Sequence, residues 1–157
     1  MQPIEQLVER CRAAGMRMTP QRRAIFQYLW GNEAHPTAED IFRAVKRRHP
    51  GLSLATVYNT LETLHRLGEV DRLDLGAGGG GAERFDPEVR PHHHFNCERC
   101  GKVQDVFADV PIPTLEELPG CRVDRVQLQL VGLCEACGRR PTTKKQKKPL
   151  ERQRARA

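Results

Sequence analysis

Residues 92–105 read His-His-His-Phe-Asn-Cys-Glu-Arg-Cys-Gly-Lys-Val-Gln-Asp, and a second Cys-x-x-Cys follows at Cys134 and Cys137. Two kinds of metal chemistry share this stretch. Cys97, Cys100, Cys134 and Cys137 form two knuckles with 33 residues between them. A two-residue gap lets both sulfurs of a knuckle reach one ion. Two knuckles complete a tetrahedral shell of thiolates with no open position, the pattern of structural Zn(II). Gly101 and Gly138 follow the knuckles and permit tight turns. Redox-active pairs or free thiols are the competing chemistry. Cys11 falls on an apolar helical stripe and reads as a buried core thiol. Cys121 has no partner in sequence.

The second chemistry is harder. On a strand, His92 and His94 share a face and His93 points away as a bystander. Asp86 and Asp105 flank them, and His35 lies in the first half of the chain. Imidazole with carboxylate suits Fe(II), Mn(II) or Zn(II), and the lack of thiolate leans toward the harder ions. Taken alone, His35 reads more readily as a helix-start or surface histidine, and His-x-His is also compatible with a solvated strand. His49 and His65 read as surface positions.

These groups need elements to position them. Ile4, Leu7, Val8 and Cys11 recur at helical spacing, with Gly15 as a stop. Thr19-Pro20 starts a second helix carrying Ile25, Tyr28 and Leu29. Thr37 caps a third with Ile41, Phe42 and Val45 inward, ending before Pro50. Ser53 caps a fourth with Leu54, Val57, Leu61, Leu64 and Leu67 on one stripe, and Gly68 ends it. Short strands are predicted at 69–75 and 82–86, around a glycine run at 76–81. Helices followed by a hairpin match a winged helix-turn-helix. Prolines and charges at 87–91 suggest a hinge. Strands are predicted at 92–96, 102–107 and 122–131, with a short helix near 114–118. Gln127, Gln129 and Val131 alternate with Leu128 and Leu130, which predicts one half-buried face.

Composition bounds the rest. The 157 residues are 38% hydrophobic and 5% aromatic, so neither half buries a large core alone. Small units of this kind often need a metal or a partner subunit. No run approaches the ~18 apolar residues of a membrane span, and MQPIEQLVER lacks the apolar centre of a secretory leader. A cytoplasmic setting is expected, where paired cysteines favour metal over disulfides. The net charge of +6 comes from the end of the chain: residues 139–157 hold nine Lys/Arg and one Glu, and the remainder is slightly acidic. That tail has the composition of a solvated, disordered segment, and its attraction to phosphate is the functional alternative. No general base, nucleophile motif or oxyanion loop stands out, so an enzyme is not expected. A metallohydrolase, with His and Asp holding a catalytic ion, is the lesser alternative. A zinc-stabilised interaction module without a DNA role is another.

In combination, Met18-Thr-Pro-Gln-Arg22, Ala34-His-Pro-Thr-Ala38, Ser53-Leu-Ala-Thr-Val-Tyr-Asn-Thr-Leu61, Arg84-Phe-Asp86, His92-x-His94 and both knuckles resemble the ferric uptake regulator family. The resemblance runs from about Gly15 to Cys137. It implies an α+β protein: a winged-helix DNA-binding domain at 1–86, a hinge at 87–91, a metal-binding dimerisation domain at 92–138 with the four-cysteine zinc site, and the basic tail at 139–157. It implies a homodimer on a palindromic double-stranded DNA operator. The helix after Ser53 would read DNA with Thr56, Tyr58, Asn59 and Thr63, and Arg22 looks like a phosphate or groove contact. Partial core packing is the other reading of Tyr58. The regulatory Fe(II) or Mn(II) ligands map onto His35, Asp86, His92, His94 and Asp105. Pro91, Ile112 and Val126 stand where ligands of a further site would be expected. Asp86 in place of Glu, with no thiolate to spare, is most like the peroxide-responsive repressor branch. There, oxidation of His35 and His92 would release the operator. An iron- or manganese-uptake regulator of the same fold is the alternative.

Overall fold

Thr19, Thr37 and Ser53 each open a helix with a side-chain oxygen. The structure, a computed structural model, describes residues 3–73, 82–108, 120, 122 and 126–139. Its first four helices are α1 (Ile4–Ala13), α2 (Pro20–Leu29), α3 (Ala38–Lys46) and α4 (Leu54–Arg66). Thr19 Oγ1 accepts from the Arg22 amide at 3.3 Å, and Ser53 Oγ from the Thr56 amide at 3.1 Å. Thr37 and Asp40 form a reciprocal capping box: the Asp40 amide donates to Thr37 Oγ1 at 3.1 Å, and the Thr37 amide to Asp40 Oδ2 at 3.1 Å. Gly15 and Gly68 end α1 and α4 with φ of 82° and 68°, the left-handed conformation glycine adopts without cost.

The capping box carries a pH signature. Burial pushes the Asp40 carboxyl up, but the Thr37 amide and hydroxyl and the Arg43 guanidinium outweigh it and hold it below its ordinary value. A carboxylate depressed by folding stabilises above its unfolded pKa and loses that contribution as pH falls through the folded one. Thr37→Ala is expected to cost about 1 kcal/mol in denaturant unfolding at neutral pH. The difference from wild type should shrink in acid, and a pH-independent difference would refute this account.

Leu7, Val8 and Cys11 of α1, Ile25, Phe26 and Leu29 of α2, Ile41 and Val45 of α3, and Val57, Leu61 and Leu64 of α4 converge in one core. Val70 and Phe85 join it from either side of the hairpin. Cys11 is buried as expected, and burial pushes its thiol up. Some facing differs from the sequence reading. Phe26 rather than Tyr28 fills the α2 face. Phe42 is only half-buried, with Lys46 Nζ 4.6 Å from its ring centroid. Leu54 and Leu67 lie at the margins. Thr60 is fully buried on the apolar side of α4, its hydroxyl donating to the Thr56 carbonyl at 2.6 Å. Sequence reading also missed the buried Glu69, which is paired with Arg10. Arg10 donates as well to the Leu67 carbonyl at 2.8 Å, closing α1 onto the end of α4.

Strands β1 (Asp71–Leu73) and β2 (Arg84–Asp86) form an antiparallel pair with Asp71 opposite Asp86. A second sheet has the order β4-β3-β5, from β3 (His93–Cys97), β4 (Val103–Val106) and β5 (Gln129–Gly132). Strand β3 runs antiparallel to β4 and parallel to β5. Leu73 packs on Val103, joining the two sheets. A short helix, α5 (Glu135–Gly138), turns the last knuckle and was not anticipated.

Of the predicted 122–131 strand, residues 123–125 lie outside the described residues, 126–128 are not strand, and the expected half-buried face is covered only at Leu128. Leu128 is half-buried, but Leu130 and Val131 are both exposed, at 43% and 56%, on β5 at the edge of the sheet. The glycine run 76–81, Ile112, the predicted helix at 114–118, Cys121 and residues 140–157 lie outside the described residues. No helix among those described is long and apolar enough to cross a membrane.

Candidate metal centres

The knuckles sit where strand ends meet a helix start. Cys97 ends β3, Cys100 follows in the turn, Cys134 precedes α5 and Cys137 lies within it. Parallel pairing of Cys97 with Gly132 brings the two knuckles together. One atom from each residue falls within 4.8 Å of the others. Cys100 and Cys134 sulfurs are 3.7 Å apart, close to the ~3.8 Å edge of a tetrahedron with Zn–S bonds of about 2.3 Å and far beyond the ~2.0 Å of a disulfide. The Cys134 amide donates to Cys97 Sγ at 3.3 Å. This bond and the amides of Cys100 and Arg99 bring the Cys97 thiol down to about 6. Burial and the neighbouring sulfurs push Cys137 up to about 12. A bound dication would ionise all four thiols together. The donor set fits Zn(II).

The second cluster is assembled from three places. His94 and Asp105 are cross-strand partners in the β3–β4 register, so their side chains share a face. His92 precedes β3 and lies two residues back on the same side. Asp86 ends β2 and Phe85 beside it points oppositely into the helical core. His35 arrives from the loop between α2 and α3. That loop pairs with β2 through a Thr37–Arg84 bridge and the Phe85 amide, which donates to the Pro36 carbonyl at 3.0 Å. Arg84 Nη1 donates to the His35 carbonyl at 3.0 Å. His35 has φ of 47°, the one positive-φ non-glycine among the described residues, a conformation costing of order 1–3 kcal/mol that surrounding structure must hold.

The five donor atoms lie within 4.8 Å of one another. Nε2 of His35 is 2.6 Å from Asp105 Oδ1, and Nε2 of His92 is 2.9 Å from Asp86 Oδ2. His94 Nε2 is 3.2 Å from the same Asp86 oxygen and 2.8 Å from His92 Nε2. His35, Asp86, His92 and His94 are all buried. Despite their closeness, His35 Nε2 and Asp105 Oδ1 make no well-aligned hydrogen bond. His92 Nδ1 faces the Arg90 carbonyl at 2.7 Å. A carbonyl only accepts, so the ring proton sits on Nδ1 and the Nε2 lone pair faces the cluster. Burial pushes Asp86 up, but the His94 hydrogen bond, the Glu88 amide and the His35 and His92 rings outweigh it and hold the carboxyl below its ordinary value. One buried and one half-buried carboxylate gathered among three buried imidazoles call for a cation. Imidazole and carboxylate without thiolate fit Fe(II) or Mn(II).

Sequence reading missed the parts that hold this cluster: Arg84, the 35–37 pairing with β2, and the 86–92 segment. In that segment the Glu88 amide donates to Asp86 Oδ1 at 2.8 Å. The Arg90 guanidinium brings Glu88 down to about 2. The alternating charges of Glu88 and Arg90 were the available signal. His93 is no mere bystander, since its Nδ1 accepts from the Leu128 amide at 3.3 Å and fixes the approach to β5. Among the described residues, no third group of donors is gathered for a metal.

On α4, Tyr58 is exposed rather than packed in the core, and its hydroxyl donates to Glu39 at 2.9 Å. That bond pushes the phenol above its ordinary value. Asn59 is exposed beside it. Thr56 and Thr63 hydroxyls are engaged locally, with Ser53 Oγ at 2.8 Å and the Asn59 carbonyl at 3.0 Å. Arg22 donates to the Arg17 carbonyl at 2.5 Å.

Residues 13–130 match the sequence model of the ferric uptake regulator family. The chain is 36% identical over 141 residues to the peroxide operon regulator of Bacillus subtilis, covering 87% of this chain and 94% of that protein. The crystal structure of the Campylobacter jejuni peroxide stress regulator superposes with a TM-score of 0.62 at 26% identity, covering 87% of this chain and 100% of that one. The Helicobacter pylori ferric uptake regulator Fur superposes at 0.71 with 20% identity, over 90% and 97% of the two chains, and shares the fold.

Proposed function

We propose, from the premise that the chain belongs to the ferric uptake regulator family, that it is a metal-dependent DNA-binding repressor that senses peroxide. One observation carries this reading: a five-donor cluster, with all but Asp105 buried, joins His35, ahead of α3, to Asp86, His92, His94 and Asp105. A cation held by all five clamps the helical unit, 1–86, against the 92–138 unit, with 87–91 as the hinge. It thereby selects the shape that binds DNA. Helix α4 is the recognition helix. Tyr58 and Asn59 are its outward groups for base edges, and Arg22 serves a phosphate. The exposed Leu130, Val131 and Leu133 support a homodimer through the β5 side of the sheet, and a dimer matches a palindromic operator.

His35, Asp86, His92, His94 and Asp105 would hold Fe(II), which would supply redox chemistry toward peroxide. In the net reaction the imidazole of His35 or His92 would lose two electrons: one peroxide oxygen would enter a ring C–H bond, the hydrogen moving to ring nitrogen or solvent, and the other oxygen would leave as water with the iron again Fe(II). An oxidised ring is a poor donor, so His35 releases the helical unit from the other four residues. The named relatives are peroxide regulators, which supports this reading. It is tested by treating Fe(II)- and Mn(II)-loaded protein with peroxide, then measuring intact mass and operator binding. Oxygen gained at His35 or His92 in the iron form alone, with loss of operator binding, is expected. If neither histidine gains oxygen, peroxide sensing is wrong. Release by chelator but not by peroxide would then identify an iron- or manganese-uptake regulator.

A further inference from the structure

We propose that Phe107 and Arg90, with Glu88 behind them, cap the entrance to the His/Asp cluster and set how fast a cation or small solute exchanges with it. The inference rests on reading that cluster as an exchangeable metal site. A cleft of about 310 Å³ opens beside it between the Trp30–Glu33 turn and the 86–90 segment, with Asp86 and Asp105 among its lining residues. Phe107 also lines this cleft. It is 60% exposed, yet its ring stacks on buried His92 with centroids 5.2 Å apart and planes at 29°. The Arg90 guanidinium lies 5.2 Å from the same ring centroid.

Glu88 fixes Arg90 in that place. Arg90 Nε and Nη2 donate to its two carboxylate oxygens at 2.9 and 2.7 Å, and the Arg90 amide adds a third bond at 2.9 Å. The segment is tied at both ends to cluster donors, through the Glu88 amide on Asp86 and His92 Nδ1 facing the Arg90 carbonyl. Its middle is pressed against Phe107. A phenyl ring this exposed adds little to the core. Its contact is with one face of the His92 ring. Phe107 and Arg90 supply no donor atom to the cluster. Removing a cap of that kind lowers the barrier in both directions and leaves the end states alone.

The test uses the full chain, loaded with Mn(II) and mixed rapidly with excess chelator while free Mn(II) is followed. Phe107→Ala is expected to release Mn(II) roughly three- to tenfold faster, the worth of one aromatic contact, with entry faster by the same factor and Kd within about twofold, and Arg90→Ala, which also loosens the segment holding Asp86 and His92, is expected to release it at least as fast. Phe107→Tyr keeps the ring and should release at the wild-type rate. The zinc content of the thiol site should be the same in every variant. Unchanged release rates overturn the proposal. So does a Kd weakened as much as release is quickened, because the residues would then hold the donors rather than guard them. Wild-type protein that binds no Mn(II) at the cluster overturns the functional reading as well, which separates the two failures.

Discussion

Cys97→Ser is expected to empty the thiol site of zinc and unfold the sheet around it, while α1–α4 stay folded. The asymmetry follows from what each part has to hold it. The helical core gathers apolar side chains from four helices and the hairpin, and none of the four knuckle cysteines belongs to it. The β3–β5 end has little beyond Cys97, Cys134, Cys137 and the half-buried Phe95. Structural zinc contributes roughly 10–16 kcal/mol in small zinc-folded units, far more than so small a cluster supplies by burial. Serine cannot replace thiolate in that shell. Limited proteolysis should cut the variant within 92–139 and spare 3–73, with zinc analysis showing less than one ion per chain. A variant that keeps its zinc and resists the protease as wild type does would sink this account.

The second large effect is local to one imidazole. His35→Asn is expected to weaken Mn(II) binding by at least about a hundredfold, since even outer partners of metal ligands contribute 10- to 100-fold. Asparagine is the chosen replacement because it tolerates the left-handed backbone that His35 occupies at φ 47°. The metal-free proteins should therefore melt alike. Mn(II) should raise the melting temperature of wild type, since a ligand that binds only the folded state stabilises it. The variant should scarcely respond. Equal metal-induced shifts in both proteins would show that His35 is not a ligand.

The difference between these two residues measures what sequence can reveal. The knuckles are legible because both halves of the chemistry lie within a few residues, and only the closure between them depends on the fold. The helix starts are legible for the same reason: Thr19, Thr37 and Ser53 act on amides three residues away. His92, His94 and Asp105 are nearly as local, needing only a strand and its neighbour. His35 is different. Its place depends on a positive φ and on pairing with β2 some fifty residues later, and no local signal encodes either. It was reached only through resemblance to a family. The Arg10–Glu69 pair was hidden for the same reason. Alternation along 127–131 misled because period two says which side chains share a face and not whether anything covers that face.

Strand β2 is three residues long, and two of them face opposite worlds: Phe85 enters the helical core and Asp86 enters the donor cluster. A strand has only two phases. Shifting this one by a single residue would press a carboxylate into hydrocarbon and offer a phenyl ring to the metal. Adding or removing a residue inside 84–86 would disrupt the folded core and the donor cluster together. Point substitutions can erode the two separately, but a change of length here cannot.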